Sequence, residues 1–508
     1  MIELVPGLPT NRRHILSYLL HSRDVAALSI QSRALRRLCD MEVRHKYHTI
    51  RVTPETDSLD MAFNLLMDIL RRPSLGHYVR HVEVRGQKPA GGEYTEQEPQ
   101  RELSDDDMQL LRNAVRNAGF AEQESRVLSM LLQRRTYDHG TLAATMDKVF
   151  IPQALAALLV SVSPYLTSMA MTPVGMYYYD TPRFRQVRRV QYPLDALLRS
   201  ANSNPTRHTP YLQNLRDVYI VNDPGGLLSG VRFYSMMDFF QPISTICTLP
   251  AIESVSTDVL EEDANGQTAL EPASSDISKV AVRHSAVSSW YLISLICSCN
   301  ALRDFTYSVG GRASSDGGYP IFNPRTVIRA LLFHKDTLES VDFDVESRIP
   351  AFDHQFNQAE ALRKLDTREW VYADDRPESP SLRVQRGSLR NFQALKRLRI
   401  GVGFLLYFAR GVEVDTELDT DFSLADALPP NLEYLCIRGY TKGDLPERDH
   451  HIDALVEAIR SSRLQLKLRG VSRTIPHAEN VDNPDEEPYL LWRPGMVGSG
   501  GTDGDEEE

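Results

Sequence analysis

The chain has 508 residues, 42% of them hydrophobic and 25% charged, and a formal net charge of −11. The length exceeds what one ordinary core needs, so several domains or one extended repeat array is expected, and the composition is that of a soluble globular protein. The negative balance argues against a nucleic-acid backbone as partner, although the tail "GTDGDEEE" and the run "SDDD" at 104–107 carry much of it and leave the body nearer neutral.

In chain order the first feature is a helical pattern over residues 8–38, "LPTNRRHILSYLLHSRDVAALSIQSRALRRL". Ile15, Leu16, Leu19 and Leu20 form one apolar stripe, and Val25, Leu28, Leu35 and Leu38 form others at helical spacing. Asp24 suits the cap of the second helix. Three short helices in about 40 residues cannot bury all these leucines among themselves, so part of that surface is expected to face another domain or protein.

The character then changes to recurring strings of the form apolar-x-x-apolar-x-apolar. They are "VRHVEV" at Val79, "LTSMAM" at Leu166, "LRDVYI" at Leu215, "IESVST" at Ile252, "LRDFTY" at Leu302, "LESVDF" at Leu338, "LKRLRI" at Leu395 and "LEYLCI" at Leu432. Amphipathic helical segments are expected at 58–72, 151–162, 194–201, 233–240, 286–298 and 324–334, so most strings follow a helix. A helix followed by a short alternating strand is the unit of a leucine-rich-repeat-like solenoid, which must be continuous because one unit cannot bury its own face. The spacings of 87, 49, 37, 50, 36, 57 and 37 residues exceed the standard period, and polar, turn-rich inserts at 87–107, 260–276 and 346–389 account for the longer ones. A helix at 451–460 and a strand "LQLKL" at 464–468 are expected to close the array, and an acidic tail at 476–508 to be disordered.

With this order of elements the opening stretch is recognisable. "LP", then "ILSYL", then "RDVAALSIQSRALRRL" resembles the F-box, over roughly residues 8–39, and an F-box followed by degenerate repeats resembles the F-box proteins common in filamentous fungi. The resemblance implies docking on the adaptor of a cullin-RING ubiquitin ligase through Leu8, Pro9, Ile15, Leu16, Leu19, Val25, Leu28, Ile30 and Leu35, with Ser32, Arg33 and Arg36 at the family's polar positions. It also implies that the C-terminal array selects a protein substrate. Asn11, Arg12 and Arg13 stand where the family usually has Glu-Leu-Leu, and burying unpaired cations is costly, so they are expected to point outward.

In a parallel stack, the residues between the apolar ones line one accessible face: His81, Glu83, Asp217, Tyr219, Ser254, Ser256, Asp304, Thr306, Ser340, Asp342, Arg397, Arg399, Tyr434 and Cys436. Asp217, Tyr219, Asp304, Asp342, Arg397, Arg399 and Tyr434 are the candidate substrate-binding residues, because mixed charge with aromatics is typical of hot spots. The alternative is that pairs such as Asp342 and Arg399 are lateral ion pairs that merely brace the sheet.

Little else suggests chemistry. Cys39, Cys247, Cys297, Cys299 and Cys436 are too few and scattered for a disulfide framework or a metal site. "GVGFLL" at Gly401 is read as a loop glycine pair rather than a phosphate loop, and "RDHHID" at 448–453 as a helix start capped by Asp449 rather than a metal site. No cofactor and no catalytic residue are expected. No basic-then-apolar segment opens the chain, and apolar runs such as 154–162 and 290–297 fall short of the roughly 20 residues of a span, so a cytoplasmic or nuclear protein without membrane contact is expected.

The expected architecture is α/β: a helical F-box-like module at 1–45, then an irregular leucine-rich-repeat-like solenoid at 46–475 with parallel strands on one face and helices on the other. Two rivals stand beside it. One is a non-ligase scaffold whose N-terminal helices cap the solenoid; the other is a doubly wound enzyme domain, which would reverse its strand order at a ligand crevice.

Overall fold

The computed structural model describes residues 27–31, 41–85, 94–134, 142–173, 192–203, 209–222, 233–262, 270–310, 324–345, 385–411, 422–461 and 463–471. Thirteen strands lie among them, eleven in one parallel sheet: β1 (Thr49–Val52), β2 (His81–Val84), β3 (Ser168–Met171), β4 (Asp217–Ile220), β6 (Ser254–Asp258), β8 (Lys279–Arg283), β9 (Asp304–Ser308), β10 (Ser340–Asp344), β11 (Arg397–Gly401), β12 (Tyr434–Arg438) and β13 (Lys467–Val471). β5 (Ser235–Met237) and β7 (Leu260–Glu262) form a separate parallel pair. The strands of the large sheet lie side by side in chain order with no reversal, so the strand-order switch of a doubly wound domain does not occur in it.

One local rule builds nine of the eleven units. A buried apolar residue stands two positions before the strand: Val79, Leu166, Leu215, Ile252, Ile277, Leu302, Leu338, Leu395 and Leu432. The carbonyl of the residue just before each strand then accepts amides from the next unit. Arg80 O accepts from Thr167 and Ser168, Thr167 O from Arg216 and Asp217, Arg216 O from Glu253 and Ser254, and the ladder continues through Glu253, Ser278, Arg303, Glu339 and Lys396 to Glu433. These links fix every strand in the same register, so inward positions stack on inward positions. Phe305 and Tyr307 of β9 and Phe343 of β10 are fully buried in this way, with Phe343 4.8 Å from the ring of Phe404. They join the apolar faces of the helices in one core.

The expected helices are present with shifted ends: Thr56–Arg71, Leu142–Ser161, Pro193–Ser203, Ser289–Ser298, Pro324–Leu332 and Pro446–Arg460. Segment 233–240 is not a helix. β5 occupies its start, and the Asp238 carboxylate accepts from the Phe240 and Gln241 amides, opening only a short helix at Phe240–Ile243. The insert expected at 260–276 instead begins with β7 and leads directly into a complete unit, because Ile277, Val280 and Val282 are buried by the same rule. Ile252, Ile277 and Leu302 therefore follow at intervals of 25 residues, a regular period that a single break of 50 had concealed. β1 escaped notice because Tyr47 holds the position taken elsewhere by leucine or another aliphatic.

The segment read as insert 87–107 runs into the helix Asp105–Asn117, whose start is held by the Ser104 hydroxyl accepting the Asp107 amide. Another unforeseen helix, Glu124–Leu131, follows. Gly401 is no loop glycine, since the helix Val402–Arg410 begins directly after it. β13 begins three residues later than expected, in register with Tyr434 of β12. The helix Met41–His48 straddles residue 45 and runs straight into β1. Residues 346–384 of the third insert and the tail 476–508 lie outside the described residues.

Candidate functional site: the outward strand face

Alternate residues of the eleven strands point away from the core and form three rows. The first runs Thr49, His81, Ser168, Asp217, Ser254, Lys279, Asp304, Ser340, Arg397, Tyr434 and Lys467. In the second, two residues further along each strand, Thr306, Asp342, Arg399, Cys436 and Arg469 are neighbours. Gly401 and Arg438 belong to the third. All seven candidate substrate-binding residues fall on this face, Asp217, Asp304, Arg397 and Tyr434 in the first row and Tyr219, Asp342 and Arg399 in the second.

The rows differ sharply in accessibility along the sheet. From β2 to β6 the face is largely closed. Glu83 is buried between the guanidinium groups of Arg51 and Arg85. His81 shares a hydrogen bond with buried Ser168, and burial together with neighbouring His48 and Arg80 pushes its pKa down to about 3, which keeps the imidazole neutral. Tyr219 is only 6% exposed, packed with Ala170 and Val221, and donates its hydroxyl to Asp258 at 2.8 Å. Its aromatic surface is covered in this structure, where alternation alone suggests an open one. Burial pushes the Asp258 pKa up to about 6 against the Tyr219 hydrogen bond and the Arg283 charge. Asp217 is likewise raised to about 6, by burial and then by Glu253.

From β9 to β13 the face opens. Asp304 has a raised pKa through burial, with Lys279 at 4.0 Å and Arg397 at 3.9 Å as its cations. Asp342 and Arg399 are neighbours, as their alternation suggested, at 3.7 Å. The tighter partner of Asp342 is Arg438, at 2.5 Å, which also stands 4.0 Å from Asp344. Arg438 reaches across β11 because its neighbour there is Gly401, which has no side chain to block the way. So the bracing role falls mainly on Arg438, which the sequence reading had missed. Arg399 and Lys467 stand over the Tyr434 ring, 5.8 and 5.9 Å from its centre.

Arg438 is legible in principle, two residues beyond Cys436 at the end of the same strand, but it lies outside the six-letter string that marks the repeat. Lys467 and Arg469 were lost through the three-residue displacement of β13.

Of the adaptor-docking candidates, Leu8, Pro9, Ile15, Leu16, Leu19, Val25 and Leu35 lie outside the described residues. Leu28 is half-buried, and Ile30 is 80% exposed, the most exposed large hydrophobic residue among those described.

The remaining motifs have structural roles. Asp449 is no helix cap, since the helix starts at Pro446; its carboxylate accepts from the Tyr440 hydroxyl and the Gly443 amide. His451 is buried against Phe422, and Asp453 binds Lys442. Among the described residues no three His, Cys, Asp or Glu side chains could hold a metal ion. Burial pushes the thiols of Cys297 and Cys299 up to about 12, which keeps them unreactive. Val402 and Phe404 are fully buried, so the helix start after Gly401 offers no room to a phosphate. No described helix is long and apolar enough to cross a membrane. A scan of protein-family models gives no match to this chain, and a search of curated proteins gives none either.

Proposed function

We propose that the chain is a substrate-recognition subunit of a cullin-RING ubiquitin ligase. Its F-box-like stretch, 8–39, docks on the adaptor, and its sheet is the exposed face of an irregular leucine-rich-repeat-like solenoid that holds a protein substrate. The observation that carries this reading is the eleven-stranded parallel sheet, laid out in chain order, whose outward face is polar and open from β9 to β13. A surface of that kind, downstream of a stretch resembling an F-box, supports recognition. The mechanism is proximity: substrate held beside a ubiquitin-charged enzyme meets it at raised effective concentration, a mechanism that requires no catalytic residue, cofactor or metal of this chain.

The test is co-purification of the full chain with a recombinant F-box adaptor, beside Leu16→Asp. Stoichiometric capture that the substitution abolishes, with an unchanged melting curve, supports the ligase reading. Absence of capture by either protein favours the second reading, a scaffold in which the opening helices cap the array.

A further inference from the structure

Three strands at the end of the sheet carry an unusual charge pattern for a chain of net charge −11. The outward positions of β11, β12 and β13 hold Arg397, Arg399, Arg438, Lys467 and Arg469 and no carboxylate. Arg438 is committed to Asp342, Arg399 stands 3.7 Å from the same carboxylate, and Arg397 stands 3.9 Å from Asp304. The other four stand in two columns, Arg397 with Arg399 on β11 and Lys467 with Arg469 on β13, on either side of the uncharged column Tyr434 and Cys436 of β12. Strands lie about 4.8 Å apart, so the columns are about 10 Å apart, and successive rows are about 7 Å apart along the strands. Cys436 of the middle column is buried and small, and Arg399 and Lys467 stand over the Tyr434 ring, so the cations gather above β12.

We propose that this cationic strip along β12 binds an extended, carboxylate-rich peptide segment of a partner protein. The proposal rests on the reading of the strand face as the substrate surface and gives that substrate a chemistry. An extended peptide repeats its side chains on one side every two residues, about 7 Å, which matches the row spacing. Aspartate or glutamate at alternate positions therefore meets the Arg397 and Lys467 row and then the Arg399 and Arg469 row, while the peptide backbone passes over Tyr434. A single-stranded nucleic acid is the rival polyanion, and the DNA probe below tests it.

The experiment measures binding of three labelled ten-residue peptides to the full chain: alternating Ser-Asp, alternating Ser-Asn, and a block peptide with the same number of aspartates at one end. A single-stranded DNA of equal charge serves as the fourth probe. The alternating Ser-Asp peptide is expected to bind at least tenfold tighter than the other two peptides and the DNA, and to weaken as salt rises. Arg397→Ala with Lys467→Ala, both at exposed positions, is expected to weaken it at least tenfold without moving the melting temperature. Equal binding by the double variant, equal binding of the block peptide or the DNA, or no binding at all would overturn the proposal. Adaptor capture, run on the same preparations, separates these failures from a failure of the ligase reading, since it depends on residues 8–39 alone.

Discussion

Asp258 gives the sharpest test of how the closed part of the strand face is held. Its carboxyl group is 2% exposed, accepts the Tyr219 hydroxyl on one oxygen, and has no hydrogen-bond partner for the other. Burial raises its pKa from the usual 3.8 to about 6. A shift of roughly two units corresponds to ~3 kcal/mol between the protonation states. Because the folded value is the higher one, this stabilisation is fully present below pH 3.8 and is lost as pH rises through about 6.

Asp258→Asn keeps an oxygen to accept from Tyr219 but cannot ionise. Its stability relative to the natural protein should therefore rise by ~2.4 kcal/mol between pH 4 and pH 7, most of the full span. Urea unfolding followed by far-ultraviolet circular dichroism, run on both proteins at each pH, gives that difference with other titrating groups cancelled. Tyr219→Phe removes a bond that favours the carboxylate, so it should move the window to higher pH. A stability difference that stays flat from pH 4 to pH 7 would refute the assignment of a buried, proton-holding Asp258.

Three further outcomes follow from the packing. Phe343→Ala removes a fully buried ring that contacts those of Phe305, Tyr307 and Phe404, and should cost about 3–5 kcal/mol in urea unfolding. Gly76→Ala would place a methyl group 2.1 Å from the Val162 carbonyl oxygen, so the backbone must shift, and a marked fall in melting temperature is expected. Arg438→Ala leaves Asp342 and Asp344 without their common cation and should cost about 1–3 kcal/mol; Arg438→Lys, which lacks the forked grip on Asp342, should recover only part of that.

The sheet was legible because its units obey a short rule, an apolar residue two places before an alternating strand, and eight strings spelled it out. Where the rule took another residue it was overlooked: Tyr47 before β1 is aromatic, and Ile277 before β8 follows a polar stretch that reads as loop. Periodicity also could not separate a three-residue strand from a helix in "FYSMMDFF", where a pairing with distant β7 decides the outcome. Alternation placed all seven candidate residues on the outward face. It could not reveal that Tyr219 is covered while Tyr434 is half-exposed, since that depends on what packs over each strand and not on the strand itself. The dominance of Arg438 over Arg399 at Asp342 depends on a missing side chain at Gly401, a relation among three strands that no single segment carries.

The most direct test of the ligase reading is amide hydrogen exchange of the full chain with and without the recombinant adaptor. The account predicts new protection confined to residues 8–39, with exchange in β1 to β13 unchanged. No protection at saturating adaptor, or protection within the sheet instead, would contradict it.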